Sequence, residues 1–108
     1  MHHRLVLGLA AVLNNRYHIR SNRESGEGRF DIQLLPKSNG PPGILIELKV
    51  AKDGSADLGA LADEALSQID RNHYETEMAS QGISNILKYG VAFYKKNVEV
   101  HKEIYRLN

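Results

Sequence analysis

The chain contains no cysteine. That excludes a disulfide framework, a thiolate zinc site and a cysteine nucleophile. It fits a reducing compartment, and the expected location is cytoplasmic. An excess of one charge sign is also missing. Fourteen Lys and Arg against 13 Asp and Glu leave a net charge of +1. Bulk charge therefore gives no argument for a polyanionic partner, and any basic surface has to come from local clustering. Long apolar runs are absent too. The longest, Leu5 to Leu13, is far too short to span a bilayer. It follows Arg4 as a signal-peptide core would, but Asn14, Asn15, Arg16 and Tyr17 come next instead of a small-residue cleavage pattern. No membrane span is expected. There is no internal repeat and no low-complexity tract. Gly26–Glu27–Gly28 lacks the Gly-Lys-Ser/Thr of a nucleotide-binding loop, so it reads as a turn.

What is present is an ordinary globular composition, 42% hydrophobic and 25% charged over 108 residues. That suits a single domain, residues 1–108, with one sheet and two or three helices.

Leu5 to Leu13 is rich in Leu and Ala and apolar on nearly every side, which predicts a short buried helix. Tyr17 to Glu24 reads as a strand with Tyr17 and Ile19 on one face. Ser25 to Gly28 is a turn. Arg29 to Leu35 alternates, with Phe30, Ile32 and Leu34 on one face and Asp31 and Gln33 on the other. Pro36 to Gly43 is a hairpin loop by composition. Ile44 to Val50 is nearly all apolar, which predicts a central strand. From Asp57 to His73 the period becomes helical, with Leu58, Leu61, Ala62, Ala65, Leu66 and Ile69 in one stripe. Glu75 to Gln81 predicts a short helix closed by Gly82. Leu87 to Tyr94 and Val98 to Tyr105 are the last two strands, joined by a turn at Lys95 to Asn97.

The chemistry lies on the second and third strands. Asp31 and Glu47 fall on adjacent antiparallel strands, opposite or diagonal to one another. Two carboxylates that close repel unless something neutralises them. A divalent cation does so, and hard oxygen ligands with room for water suit Mg²⁺ or Mn²⁺. Lys49 is two residues after Glu47 and shares its face. An ammonium there orients a water or stabilises negative charge at phosphorus. Gln68 sits just off the apolar stripe of the following helix, and Tyr74 follows at that helix's end, near the same cleft. Spacing alone favours a plainer arrangement, with Glu47 and Lys49 as an ion pair on a solvated sheet face and Asp31 and Gln33 as the exposed half of an amphipathic strand. His18 reads as a partly buried strand residue, and His2 and His3 are not read as ligands.

Asp31, fifteen residues, then Glu47–Leu48–Lys49 resembles the D-(X)n-(D/E)-X-K signature of the PD-(D/E)XK nuclease superfamily. Ser21 to Ile32 (SNRESGEGRFDI) is similar to a stretch typical of one branch, whose nuclease-like domain follows an AAA-ATPase-like domain in bacterial proteins. Ile46–Lys49, Ala65–Ile69 and Lys88–Tyr94 continue the likeness in the same order, over nearly the whole chain.

The resemblance implies an α/β, restriction-endonuclease-like core: a central mixed β-sheet flanked by helices in the order α-β-β-β-α-β-β. It implies metal-dependent hydrolysis of phosphodiester bonds in DNA, as an endonuclease or exonuclease. Asp31 and Glu47 would hold Mg²⁺ (or Mn²⁺), Lys49 would be the catalytic lysine and Gln68 its polar support. Many members also carry an acid on the first helix. Leu5 to Leu13 has none, and Glu24 is the candidate substitute. That departure keeps a second reading open, a catalytically inactive nuclease-fold module that binds nucleic acid or a protein partner. Arg23 and Arg29, with Arg16 and Arg20, are either phosphate contacts or solvated edge charges. The expected partners are DNA, a second copy through the first helix or the last hairpin, and an ATPase-like domain in related proteins. The chain itself is expected to be a stand-alone or separated domain.

Overall fold

The computed structural model describes residues 16–24, 29–71 and 74–106. The expected Leu5–Leu13 helix and the Ser25–Gly28 turn lie outside them. The elements follow as β1 (Tyr17–Glu24), β2 (Arg29–Pro36), β3 (Gly43–Val50), α1 (Leu58–Arg71), α2 (Tyr74–Ser80), β4 (Asn85–Tyr94) and β5 (Asn97–Arg106). The strands form one five-stranded sheet in the order β1-β2-β3-β4-β5. β1/β2, β2/β3 and β4/β5 are antiparallel, and β3/β4 is parallel. A parallel pair needs a crossover connection, which is what α1 and α2 supply. The mixed sheet with helices is the expected restriction-endonuclease-like architecture, and β3 is its middle strand.

Local chemistry sets the boundaries. Asp57 Oδ1 accepts the Ala60 amide at 3.1 Å and caps the start of α1. Gly82, at φ +83°, takes the left-handed conformation that stops α2, and its amide reaches the Ala79 carbonyl at 3.1 Å. Lys95 (φ 54°) and Lys96 alone make the β4–β5 turn, so Asn97 already belongs to β5. β4 and β5 extend beyond the hydrophobic pattern: β4 begins at Asn85 and β5 ends at Arg106. Polar flanking residues pair through backbone amides, which leave no mark on hydrophobic alternation.

The sheet has two unlike faces. On one, Leu35, Leu45 and Ile86 pack against Ile69 of α1, Met78 of α2 and Ile83. On the other, Tyr17, Ile32, Leu34, Leu48 and Val91 form a second cluster, joined by Ile19, Ile44, Ile46, Tyr89 and Phe93. Ala62, Ala65 and Ile69 of the α1 stripe are buried; Leu58, Leu61 and Leu66 are half-buried. His18 is exposed rather than partly buried, because it alternates with Tyr17 and Ile19 on an edge strand. β5 is the opposite edge, and Val98, Val100 and Ile104 are about half exposed on it. Among the described residues, no helix is long and apolar enough to cross a membrane.

Small residues bring α1 down onto the sheet. A β-carbon at Gly90 would lie 2.2 Å from the Ala62 carbonyl oxygen and 2.8 Å from the Leu66 amide nitrogen. Both are backbone atoms, so no rotamer change relieves the clash. Gly90→Ala is therefore expected to lower stability by roughly 2–4 kcal/mol in chemical denaturation. A loss below roughly 0.5 kcal/mol, the range of neutral surface changes, would refute the close approach.

His101 ties β5 to α1. Its Nδ1 meets Asp63 Oδ1, and its Nε2 lies 3.1 Å from Glu99 Oε2. Those hydrogen bonds, Asp63 first, raise its pKa above the ordinary value of 6.5. Folding thus favours the imidazolium. Its contribution is complete below the unfolded pKa of about 6.5 and is lost as pH rises through the higher folded value. Thermal unfolding should accordingly show a midpoint that falls as pH is raised above about 6.5, with a shallower fall in His101→Gln. Equal slopes in the two proteins would exclude His101 as the source.

Candidate active site

Strand register decides the geometry. Asp31 on β2 stands directly opposite Glu47 on β3. Directly opposed residues of an antiparallel pair hold their β-carbons about 5 Å apart, within span of one cation. Lys49 shares the face of Glu47 by alternation. That face is not solvated. Asp31 is 3%, Glu47 0% and Lys49 5% exposed, and Gln33 is buried beside them. The arrangement of an exposed ion pair with an exposed Asp31–Gln33 half-strand is therefore wrong. α1 packs over the β3–β4–β5 part of that face, and its backbone lies directly over Gly90, the β4 neighbour of Glu47.

Among the described residues, no hydrogen-bond donor meets Asp31 Oδ1 or the two buried carboxylate oxygens of Glu47. They are hard oxygen donors. Mg²⁺ is commonly held by one or two carboxylates, with waters and substrate phosphate oxygens completing its shell. This donor set fits such an ion. Among the described residues, no group of three or more Asp, Glu, His or Cys could hold a metal.

Lys49 also reaches α1. Its Nζ lies 3.1 Å from Glu64 Oε1 on α1, and Glu64 is 60% exposed. Asp63, the adjacent residue, reaches His101 on β5. The two acids thus mark opposite flanks of α1, one toward β3 and one toward β5. Gln68 lies one turn beyond Glu64 on the β3 flank and is half-buried. Glu64 was not among the expected site residues. Glu64 lies four residues before Gln68, but that spacing alone does not show which strand it faces.

An open cleft of about 550 Å³ reaches this group from outside. Lys49, Lys52, Asp53, Ser55, Leu61 and Glu64 are among its lining residues. Its floor is shaped by the loop after β3, where Asp53 Oδ1 accepts the Ser55 amide at 2.9 Å and also its hydroxyl. These bonds hold the Asp53 carboxyl below its ordinary pKa. Asp31 and Glu47 do not line the cleft; Lys49 connects it to them.

Glu24 ends β1 opposite Arg29, and Arg23 pairs with Phe30, but the side chains of Arg23, Glu24 and Arg29 lie outside the described residues. Arg20 Nη1 is 2.8 Å from Glu77 Oε1, so it braces α2. Tyr74 follows α1, as expected. It opens α2, and its side chain also lies outside the described residues.

A family model of the PD-(D/E)XK nuclease superfamily matches residues 1–103. The chain belongs to that superfamily. Nucleases of this superfamily typically use divalent metals. No curated protein and no solved structure matches the chain significantly.

If the paired carboxylates bind a cation, Mn²⁺ at about 100 times its dissociation constant should stabilise the fold by about 2.7 kcal/mol. Asp31→Asn and Glu47→Gln should each abolish that increment in thermal or denaturant unfolding. Equal Mn²⁺ stabilisation in all three proteins would place the ion elsewhere.

Proposed function

We propose that this PD-(D/E)XK protein hydrolyses phosphodiester bonds in DNA, with Asp31, Glu47 and Lys49 as its working residues. One observation carries the reading: Asp31 and Glu47 stand face to face at the centre of the sheet, with Lys49 on the same face. Buried carboxylates are otherwise a cost to folding. A pair of them side by side, with Lys49 between the pair and an open cleft, is what a metal-dependent site requires.

The roles follow from the donor chemistry. Asp31 and Glu47 would hold Mg²⁺ or Mn²⁺, which when bound neutralises phosphate charge and lowers the pKa of water. Lys49 supplies three donors on a flexible stem. From the foot of the cleft its ammonium orients the attacking water by hydrogen bonding and stabilises the negative charge that builds on the phosphoryl oxygens. Gln68 donates and accepts through its amide beside that group. The cleft admits the strand, and Lys52 at its wall offers a further cation to the backbone phosphates.

The run Ser21 to Ile32 supports the branch of the superfamily whose members carry an AAA-ATPase-like domain upstream. The cysteine-free composition supports a cytoplasmic setting.

Single-stranded, duplex and branched DNA incubated with the protein and Mg²⁺ or Mn²⁺ test the reading. Cleavage is expected, and Lys49→Ala should reduce it by about 100-fold or more. Cleavage that persists in Lys49→Ala sinks the assignment of Lys49. Mn²⁺ stabilisation without any cleavage would favour the inactive nucleic-acid or protein-binding module instead.

A further inference from the structure

We propose that Glu64 is the positioning residue of Lys49, holding its ammonium at the cleft and off the two carboxylates. The inference rests on the nuclease reading above and adds a residue to it.

The argument begins with Lys49 itself. A lysine stem has several rotatable bonds and a strongly hydrated head, so its position in a site is set only by what holds it. At 5% exposure, Lys49 has little water to satisfy its three donors. Two kinds of anion lie within its reach. One is the Asp31–Glu47 pair, since Glu47 precedes it by two residues on the same strand face. The other is Glu64, whose Oε1 is 3.1 Å from Nζ.

The choice between them has chemical consequences. An ammonium bonded to Glu47 would neutralise a metal ligand and compete with a cation for its oxygens. An ammonium bonded to Glu64 leaves those oxygens to the cation and turns its remaining donors toward the cleft, which Lys49 and Glu64 line together.

Glu64 is well placed to hold rather than follow. It lies in the first half of α1, on a capped helix. The height of that helix over the sheet is fixed at Gly90 by backbone atoms of Ala62 and Leu66, the residues on either side of Glu64 by two positions. A rigid element thus presents a carboxylate to a flexible lysine, the arrangement expected of a supporting group. Because Glu64 is 60% exposed, its removal should leave the fold intact.

The test compares wild type with Glu64→Gln, Glu64→Asp and Lys49→Ala, and with Asp63→Asn as a control acid on the opposite flank. In DNA cleavage with Mn²⁺, Glu64→Gln should lower kcat by about 10- to 100-fold with KM changed less than about 3-fold. Glu64→Asp should recover part of the loss, and Asp63→Asn should behave as wild type. Nuclear magnetic resonance gives a readout independent of turnover. The Lys49 ammonium signal, assigned by its loss in Lys49→Ala, should be sharp in wild type and broadened by water exchange in Glu64→Gln. Unchanged kcat in Glu64→Gln, or an equal loss in Asp63→Asn, overturns the proposal. If wild type cleaves nothing, the nuclease reading fails, and the ammonium signal alone decides: unaltered in Glu64→Gln, it overturns the positioning role as well.

Discussion

Placing two carboxylates opposite each other in the middle of a sheet, and then covering them, is the constraint on which the rest of this structure depends. Asp31 and Glu47 occupy paired positions of β2 and β3 and are almost wholly buried. Like charges that close raise each other's energy, and burial removes the water that would screen them. No gain in packing accounts for such a pair, since two leucines would fill the same space at lower cost. The surrounding elements act as a frame. β3 carries the charged face through the centre of the sheet, α1 closes over it, and Lys49 supplies the nearest positive charge on the same strand.

Closing a helix over charged side chains demands small residues. Ala62 and Ala65 on α1 and Gly90 on β4 let the backbone of the helix approach the sheet beside Glu47. Larger residues would lift α1 and admit water to the carboxylates. The same close approach fixes the two flanks of α1 relative to the sheet. Glu64 then meets Lys49 on one side and Asp63 meets His101 on the other. Neighbouring acids on one helix thus act differently because the helix sits between β3 and β5. Lys88, 1% exposed, is handled by a comparable device: its Nζ lies 3.8 Å from Glu103 and 4.6 Å from the ring centre of Tyr105.

These relations explain what was legible in the sequence. Alternation along Arg29–Leu35 and Ile44–Val50 was enough to place Asp31, Glu47 and Lys49 on one face, because side chains in strands have a fixed period of two. The stripe from Leu58 to Ile69 identified the sheet-facing side of α1 for the same kind of reason. Ordered motifs then identified the superfamily. Glu64, Lys88 and His101 were not legible, because periodicity gives the face of an element but not the neighbour that each flank meets. That depends on where α1 crosses the sheet, which is set by Gly90, a residue with no side chain to enter any pattern. The burial of Asp31 and Gln33 was hidden likewise, since a polar residue on an alternating strand looks the same whether water or a helix covers it.

The two faces of β3 show why register has to be strict here. Ile44, Ile46 and Leu48 belong to the apolar cluster on one side, and Leu45, Glu47 and Lys49 lie on the side covered by α1. A slip of one residue between β2 and β3 would send Glu47 and Lys49 into the cluster around Tyr17, Ile32 and Val91. It would also put Ile46 and Leu48 in the places of those charges on the side covered by α1. Each error costs several kcal/mol in buried charge alone. The apolar face therefore does more than fill a core. By penalising every other register, it forces Asp31 to meet Glu47, and so the hydrophobic half of β3 aligns the polar half that carries the chemistry.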